Sequence, residues 1–505
     1  MCTSFTRNTK DIWIAVVFCV LGCLLSWYLR IPYVEHVQIS SDSISPFAAA
    51  TKVLYQGWSD PPNPESDHWL WFSAIPILFF SDSIETLFYF RAGCSVAIQH
   101  ISMSVLCWVL LVSNTDSKEI FENKKWLWFL AMVVANGVLA LDYGLMDTLA
   151  SSFRGYWSAD YVGLATVFAL GWYYGSGKHM VHADVFACVS IALYVMAMGQ
   201  HPLVLGLIPL VFYVIFLLYT HKQRWWLGFL ILVVCSVPRI SWIVELMQCD
   251  QGGLACLSTI ANSSSEIIAV GDIFYRILHD RFYVEMGFGG IFLLLGCLLS
   301  PHKFLQRSVW IGVLGIFVLG WWVDTMRPYH FRVLSVPMIV CAVTGWVRWG
   351  KWSVLPLVGW VFALLLVNLQ PLPWTSTPSQ HDIVAKDMCT LLSKNSSVWL
   401  EGYGENMALS MQTIGVSMFV QGCAVENLAS YPNNTVFVLS SVPFEISNTV
   451  QIIQRYDFIE PVYLYAIQKS TLVSMIDTHL HREYLYSGYD IATLFYPEEN
   501  IQLQW

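Results

Sequence analysis

Long apolar runs recur from one end of the chain almost to the other, near residues 11–30, 87–112, 126–142, 160–176, 181–199, 202–220, 225–244, 286–300, 308–323, 333–349 and 353–369. Most approach the roughly 17–25 residues that a helix needs to cross hydrocarbon. Inside a bilayer the backbone has no water to bond to, so such runs must close their hydrogen bonds within themselves as helices. About eleven spans follow, with Pro238 and Pro337 interrupting two of the runs. With 56% hydrophobic and only 12% charged residues, the chain lacks the polar surface of a soluble globule. It is built for a membrane.

Orientation is read from charge. The first run follows Arg7 and Lys10 as a signal peptide would, but it is long, lacks a small-residue cleavage site and leads into further spans, so it is expected to stay as a helix. With a cytoplasmic N-terminus, Lys118, Lys124, Lys125, Lys178, Lys222, Arg224, Lys303, Arg307, Arg348 and Lys351 all fall in loops on the same side, as the positive-inside rule asks. The loops 31–86, 143–159, 245–285 and 324–332, and everything after 370, then lie on the periplasmic or lumenal face.

Residues 371–380 contain Pro371, Pro373 and Pro378 and read as a stiff linker. Beyond it, helical patterns at Asp382–Ser393 and Phe444–Gln454 alternate with short apolar runs at Ser397–Tyr403, Val436–Ser440 and Val462–Ile467, which predicts a small extracytoplasmic α/β domain over 381–505. The expected architecture is an all-α polytopic membrane domain over 1–370, with its first outer loop at 31–86, followed by that domain.

A net charge of −9 argues against a nucleic-acid partner, since gripping phosphate backbones takes an excess of Lys and Arg. Cys19, Cys23, Cys94, Cys107, Cys188, Cys235, Cys297 and Cys341 lie within apolar runs and read as small hydrophobes rather than metal ligands. Cys249 with Cys256, and Cys389 with Cys423, fall in outer segments where disulfides are possible. There is no Gly-rich phosphate loop, His-Glu-x-x-His, serine elbow or Cys-x-x-Cys.

The first outer loop carries Asp42, a helix-like stretch over Phe47–Tyr55, Gly57, a turn with Pro61, Pro62 and Pro64, and a re-entry with Ala74, Pro76, Phe80, Ser83 and Arg91. In this order of features the chain resembles the GT-C glycosyltransferases, which include protein O-mannosyltransferases and lipid A aminoarabinose transferases. It departs from them where Ser43 follows Asp42 and where His68-Trp69 replaces a proline. The resemblance implies a GT-C-like fold and cell-envelope glycosylation, with transfer of a sugar from a polyprenyl-phosphate donor to a lipid, glycan or protein acceptor outside the cytoplasm.

Asp42 is the candidate catalytic base, because an acceptor must lose a proton as it attacks the anomeric carbon; it is also placed to cap the helix beginning near Ser45. A second acid would orient the acceptor or hold a divalent cation, and the candidates are Glu35, Asp60, Glu65, Asp67, Asp147 and Asp160. The loop Asp324–Arg332 sets Arg327, His330 and Arg332 on the outer face against the charge bias. Phosphate binding would account for that, as would snorkelling or pairing with Asp324.

Two other functions compete with transfer. A transporter or flippase of a lipid-linked solute would place ionisable groups deep in the spans, but Asp142 and Asp184 sit near span ends and the membrane middle reads as chemically quiet. An inactive GT-C-like scaffold within a glycan-assembly complex is the other.

Overall fold

A computed structural model describes residues 9–35, 84–113, 125–142, 157–176, 183–198, 202–221, 224–236, 275, 279, 286–323, 329–368, 380–392, 398–401, 414, 418, 433–441, 443–457, 461–475 and 489–490. Every apolar run carries a helix. In chain order these are α1 (Thr9–Glu35), α2 (Ile84–Ser113), α3 (Lys125–Leu141), α4 (Trp157–Ser176), α5 (Ala183–Met198), a 3-10 turn (Pro202–Leu207) leading into α6 (Ile208–Thr220), α7 (Trp225–Ser236), α8 (Gly289–Leu299), α9 (Lys303–Val323), the short α10 (Tyr329–Arg332), α11 (Ser335–Val347) and α12 (Val354–Asn368). By length and apolarity, two described helical stretches are fit to cross a membrane, Ala92–Leu110 and Gly350–Val367; the other apolar helices are shorter. Among the described residues the fold is mainly helical, and two of the about eleven expected spans reach the length and apolarity for a crossing.

The chain divides into two compact units: Met1–Val34, Ala92–Leu149 and Arg154–Pro371 form the first, and Glu35–Arg91, Ala150–Phe153 and Leu372–Trp505 the second. In the first unit, contacts fix the relative sense of two helix pairs. Phe18 meets Phe129 at 6.2 Å between ring centroids, and the Trp27 ring lies against Gly93. With Gly22 of α1 set against the His100 ring of α2, the Trp27–Gly93 contact makes α1 antiparallel to α2. Ser158 Oγ donates to the Ala197 carbonyl and Ser190 Oγ to that of Ala165, so α4 and α5 are likewise antiparallel.

At one end of this unit Tyr174 meets His302 at 2.9 Å and Tyr173 stacks on Phe304 at 4.6 Å. His302, in the connection between α8 and α9, is held neutral by burial, which pushes its pKa down to about 4. The side chains turned outward are apolar, among them Leu24 on α1, Phe216 on α6 and Phe362 on α12, each more than half exposed. That surface suits hydrocarbon. The core holds Trp172, Trp360, Tyr194, Phe331 and Met103, all fully buried.

Close approach needs small residues where backbones meet. A Cβ on Gly315 would overlap the Gly206 carbonyl oxygen, and one on Gly345 would overlap that of Gly296. These contacts join α9 to the 3-10 turn and α11 to α8.

In the second unit, α13 (Gln380–Leu391) precedes a five-stranded mixed sheet, and α14 (Lys469–Met475) follows its fourth strand. The strands are β1 (Val398–Glu401), β2 (Thr435–Ser440), β3 (Val450–Asp457), β4 (Pro461–Gln468) and β5 (Tyr489–Asp490), in the order β3-β4-β2-β1-β5. Only the β1 and β2 pairing is parallel. Val436, Val438, Tyr465, Ile467 and Leu472 form its core with Trp399.

The helix expected over Phe444–Gln454 is corrected here. Val450 to Asp457 form an edge strand paired antiparallel to β4, with an irregularity between Ile452 and Gln454. The β-branched residues Val450, Ile452 and Ile453 favour a strand, and cross-strand pairing outweighs the local helical pattern. Tyr456 on this strand has its phenol pKa pushed up by burial and by the neighbouring Asp387 carboxylate of α13.

Candidate functional site

The helices α4 and α11 both begin at the end of the first unit opposite His302. Near those beginnings, a Cβ on Gly163 would lie 3.6 Å from the Val336 side chain. About one turn earlier in each segment stand Asp160 and Arg332. The site is thus built where two helix starts adjoin.

Asp160 lies in the first turn of α4, where the helix dipole favours a carboxylate. Two side chains from successive turns of α2 reach it: Ser95 Oγ donates to Oδ1 at 2.9 Å and Gln99 Nε2 donates to the same oxygen at 2.8 Å. Gln99 Nε2 also donates to Ser95 Oγ at 3.1 Å. Asp160 is 1% exposed, so these bonds replace hydration that the carboxylate has lost.

Arg332 closes α10 and is 7% exposed. Among the described side chains it is the only buried Lys or Arg. Asp142, just beyond the end of α3, is fully buried as well, and α3 packs along α11. None of Asp142, Asp160 and Arg332 is without a partner. A carboxylate following a helix C-terminus meets the negative end of the dipole and needs compensation from donors or a cation. Two carboxylates and one guanidinium therefore gather at a single end of the bundle.

A guanidinium has five N–H donors in a planar fork, the geometry that pairs with carboxylate or phosphate oxygens. Among the described residues, no group of three or more His, Cys, Asp or Glu side chains is arranged to hold a metal ion.

Of the residues that sequence analysis singled out, Arg332 and the second-acid candidate Asp160 lie at this end of the bundle. His330 lies in α10, and its side chain is outside the description. Asp42, Asp60, Asp67, Asp147 and Arg327 lie outside the described residues, as do Cys249, Cys256 and Cys423. Cys389 is disulfide-bonded. The eight cysteines of the apolar runs are free thiols; Cys107, Cys297 and Cys341 are buried and the other five partly so.

Sequence reading missed the α2 contribution. The run 87–112 carries Ser95, Gln99, His100, Ser102 and Ser104, and such a concentration of polar residues within one apolar run was the available signal. The expectation of a chemically quiet membrane middle is also corrected. His100, midway along α2, is fully buried in a hydrogen-bonded network.

No protein-family model matches the chain, and no curated protein matches it in sequence. Solved structures do match in fold. ArnT from Cupriavidus metallidurans bound to undecaprenyl phosphate superposes with a TM-score of 0.54 and 12% identity, over 90% of this chain and 98% of that one. ArnT in the apo state gives 0.53 and 12%, over 91% and 98%. The oligosaccharyltransferase of Archaeoglobus fulgidus gives 0.47 and 10%, over 84% and 67%. The ArnT likeness covers nearly the whole of both chains and shows that this chain shares the ArnT fold.

Proposed function

We propose that the chain is a membrane glycosyltransferase that moves a sugar from a polyprenyl-phosphate donor to an acceptor on the extracytoplasmic face. The observation that carries the reading is its near full-length structural likeness to a protein solved with undecaprenyl phosphate bound. Support from the chain itself comes from Arg332, a buried guanidinium in the sequence loop singled out for donor phosphate.

In this reading Arg332, with Arg327 and His330, holds the carrier phosphate and stabilises the charge that grows on it as the glycosidic bond breaks. Asp42 takes the proton from the acceptor hydroxyl or amine as its oxygen or nitrogen attacks the anomeric carbon. Asp160 and Asp142 balance the charge of Arg332 and fix its pose. A second acid from Asp60, Asp67 or Asp147, or a divalent cation, would orient the acceptor.

The test is release of free polyprenyl phosphate from a polyprenyl-phosphate sugar by purified wild type and by Asp42→Asn. Turnover in wild type, lost in Asp42→Asn with carrier binding retained, is the expected result. Equal turnover in both removes Asp42 from the mechanism.

A further inference from the structure

The helix that leads into the Asp42 loop is held to the bundle by a polar latch. Along the described side chains of α1, only Gly22 and Ser26 are buried. Both meet one residue of α2. Ser26 Oγ lies 2.5 Å from His100 Nε2, and a Cβ on Gly22 would come within 2.7 Å of His100 Nδ1 and 2.9 Å of Asn136 Oδ1. The glycine is the space that the imidazole occupies.

The hydrogens of the network can be assigned from its partners. His100 Nδ1 is 2.7 Å from Asn136 Oδ1, a carbonyl oxygen that can only accept, so Nδ1 donates. In the neutral ring Nε2 is then the acceptor, and the Ser26 hydroxyl donates to it. Asn136 is itself oriented by its amide, which donates to the Met132 carbonyl at 2.9 Å and to Ser104 Oγ at 3.3 Å. Hydroxyl, imidazole and amide thus link α1, α2 and α3 in one chain of bonds.

This order is that of a nucleophile relay, but Ser26 and His100 are both fully buried, so the hydroxyl is closed to a substrate. The geometry assigns the network a positioning role instead. Apolar contacts discriminate poorly between protein and lipid tails, whereas a hydrogen bond inside the bundle has one partner and one register. Among the other described side chains of α1, Val16, Val20, Leu24 and Tyr28 are exposed.

We propose that Ser26, His100 and Asn136 form a latch that sets the pose of α1, and that His100 is through it a positioning residue for Asp42. The second half of the proposal rests on the transferase reading. Helix α1 ends at Glu35 and Asp42 follows seven residues later (42 − 35). A base must stand within hydrogen-bond reach of its proton, so a loose α1 lowers kcat while leaving the carrier's affinity in place.

The experiment uses full-length protein in lipid nanodiscs, with ketone-bearing aromatic residues introduced at Tyr28 of α1 and Val133 of α3 and spin-labelled, so that the native thiols stay unlabelled. Wild type should give one narrow distance distribution. His100→Leu should broaden or shift it, and His100→Gln, whose amide can both donate to Asn136 and accept from Ser26, should restore it. Without the labels, His100→Leu should lose 10-fold or more in kcat with KM for the carrier within about 3-fold, and His100→Gln should recover most of the loss. Where His100→Leu does not fold, Ser26→Ala replaces it.

An unchanged distance distribution in folded His100→Leu or Ser26→Ala overturns the latch. A displaced α1 with wild-type turnover overturns the positioning role. If wild type itself releases no polyprenyl phosphate, the transferase reading fails separately, and with it the positioning role, while the distances still decide the latch.

Discussion

Gln99 donates its side-chain amide to Oδ1 of Asp160 at 2.8 Å, joining the middle of α2 to the first turn of α4. The bond supports a buried carboxylate, and its loss leaves that oxygen with Ser95 as its other observed donor. Gln99→Leu should therefore destabilise the protein by about 1–3 kcal/mol, read as a lower thermal midpoint in detergent. Ser95→Ala should cost less, and the double variant more than either.

Arg332 should respond differently to charge and to shape. Arg332→Ala removes the buried guanidinium from the end of the bundle that also holds Asp142 and Asp160, and should lower both stability and affinity for polyprenyl phosphate. Arg332→Lys should retain stability better but weaken carrier binding by about 10-fold, because a point charge replaces a planar fork. Binding of the carrier followed alongside thermal unfolding separates the two effects.

Gly345 and Gly315 lie where helix backbones touch, and a methyl group at either would overlap a carbonyl oxygen. Gly345→Ala and Gly315→Ala should each lower folded yield and thermal midpoint markedly. Gly137 has nothing within 4 Å of a built Cβ, so Gly137→Ala should be neutral or stabilise by up to about 1 kcal/mol. The same melting series checks all three.

His302 predicts a pH dependence. Its folded pKa is depressed by burial to about 4, from the ordinary imidazole value of 6.5. Between those limits the unfolded chain binds a proton that the folded one does not, so stability falls as pH drops from about 6.5 to 4 and levels off below. The contribution approaches about 3 kcal/mol. Thermal midpoints of wild type should fall over that window, and His302→Phe should flatten the fall.

The disulfide of Cys389 is expected to join Cys423, closing a loop of about 34 residues (423 − 389) in the C-terminal unit. Peptide mapping without reductant should find that pair. Reduction should cost about 2–4 kcal/mol in the unfolding of this unit.

Helix positions in the bundle were legible because a lipid-facing helix needs a nearly unbroken apolar run, and each such run carries a helix. The strand Val450–Asp457 was not, because its order depends on pairing with β4 and its outward residues, such as Gln451 and Gln454, break the apolar alternation. In the site, Arg332 stood out as a positive charge against the topological bias. For Ser95 and Gln99 the concentration of polar residues in the run 87–112 marks the helix, but carries no mark of what each side chain meets. His100 was missed for the same reason: its partners Ser26 and Asn136 are 74 and 36 positions away.

The central claim is that the chain breaks a sugar–phosphate bond rather than carrying an intact lipid across the bilayer. Proteoliposomes holding the purified protein, supplied with a polyprenyl-phosphate sugar labelled in both sugar and lipid, test it directly. The account predicts catalytic release of free polyprenyl phosphate, with the sugar label passing to an acceptor or to water, and loss of that release in Arg332→Ala. Movement of the intact doubly labelled carrier between leaflets, with no free polyprenyl phosphate formed, would contradict it.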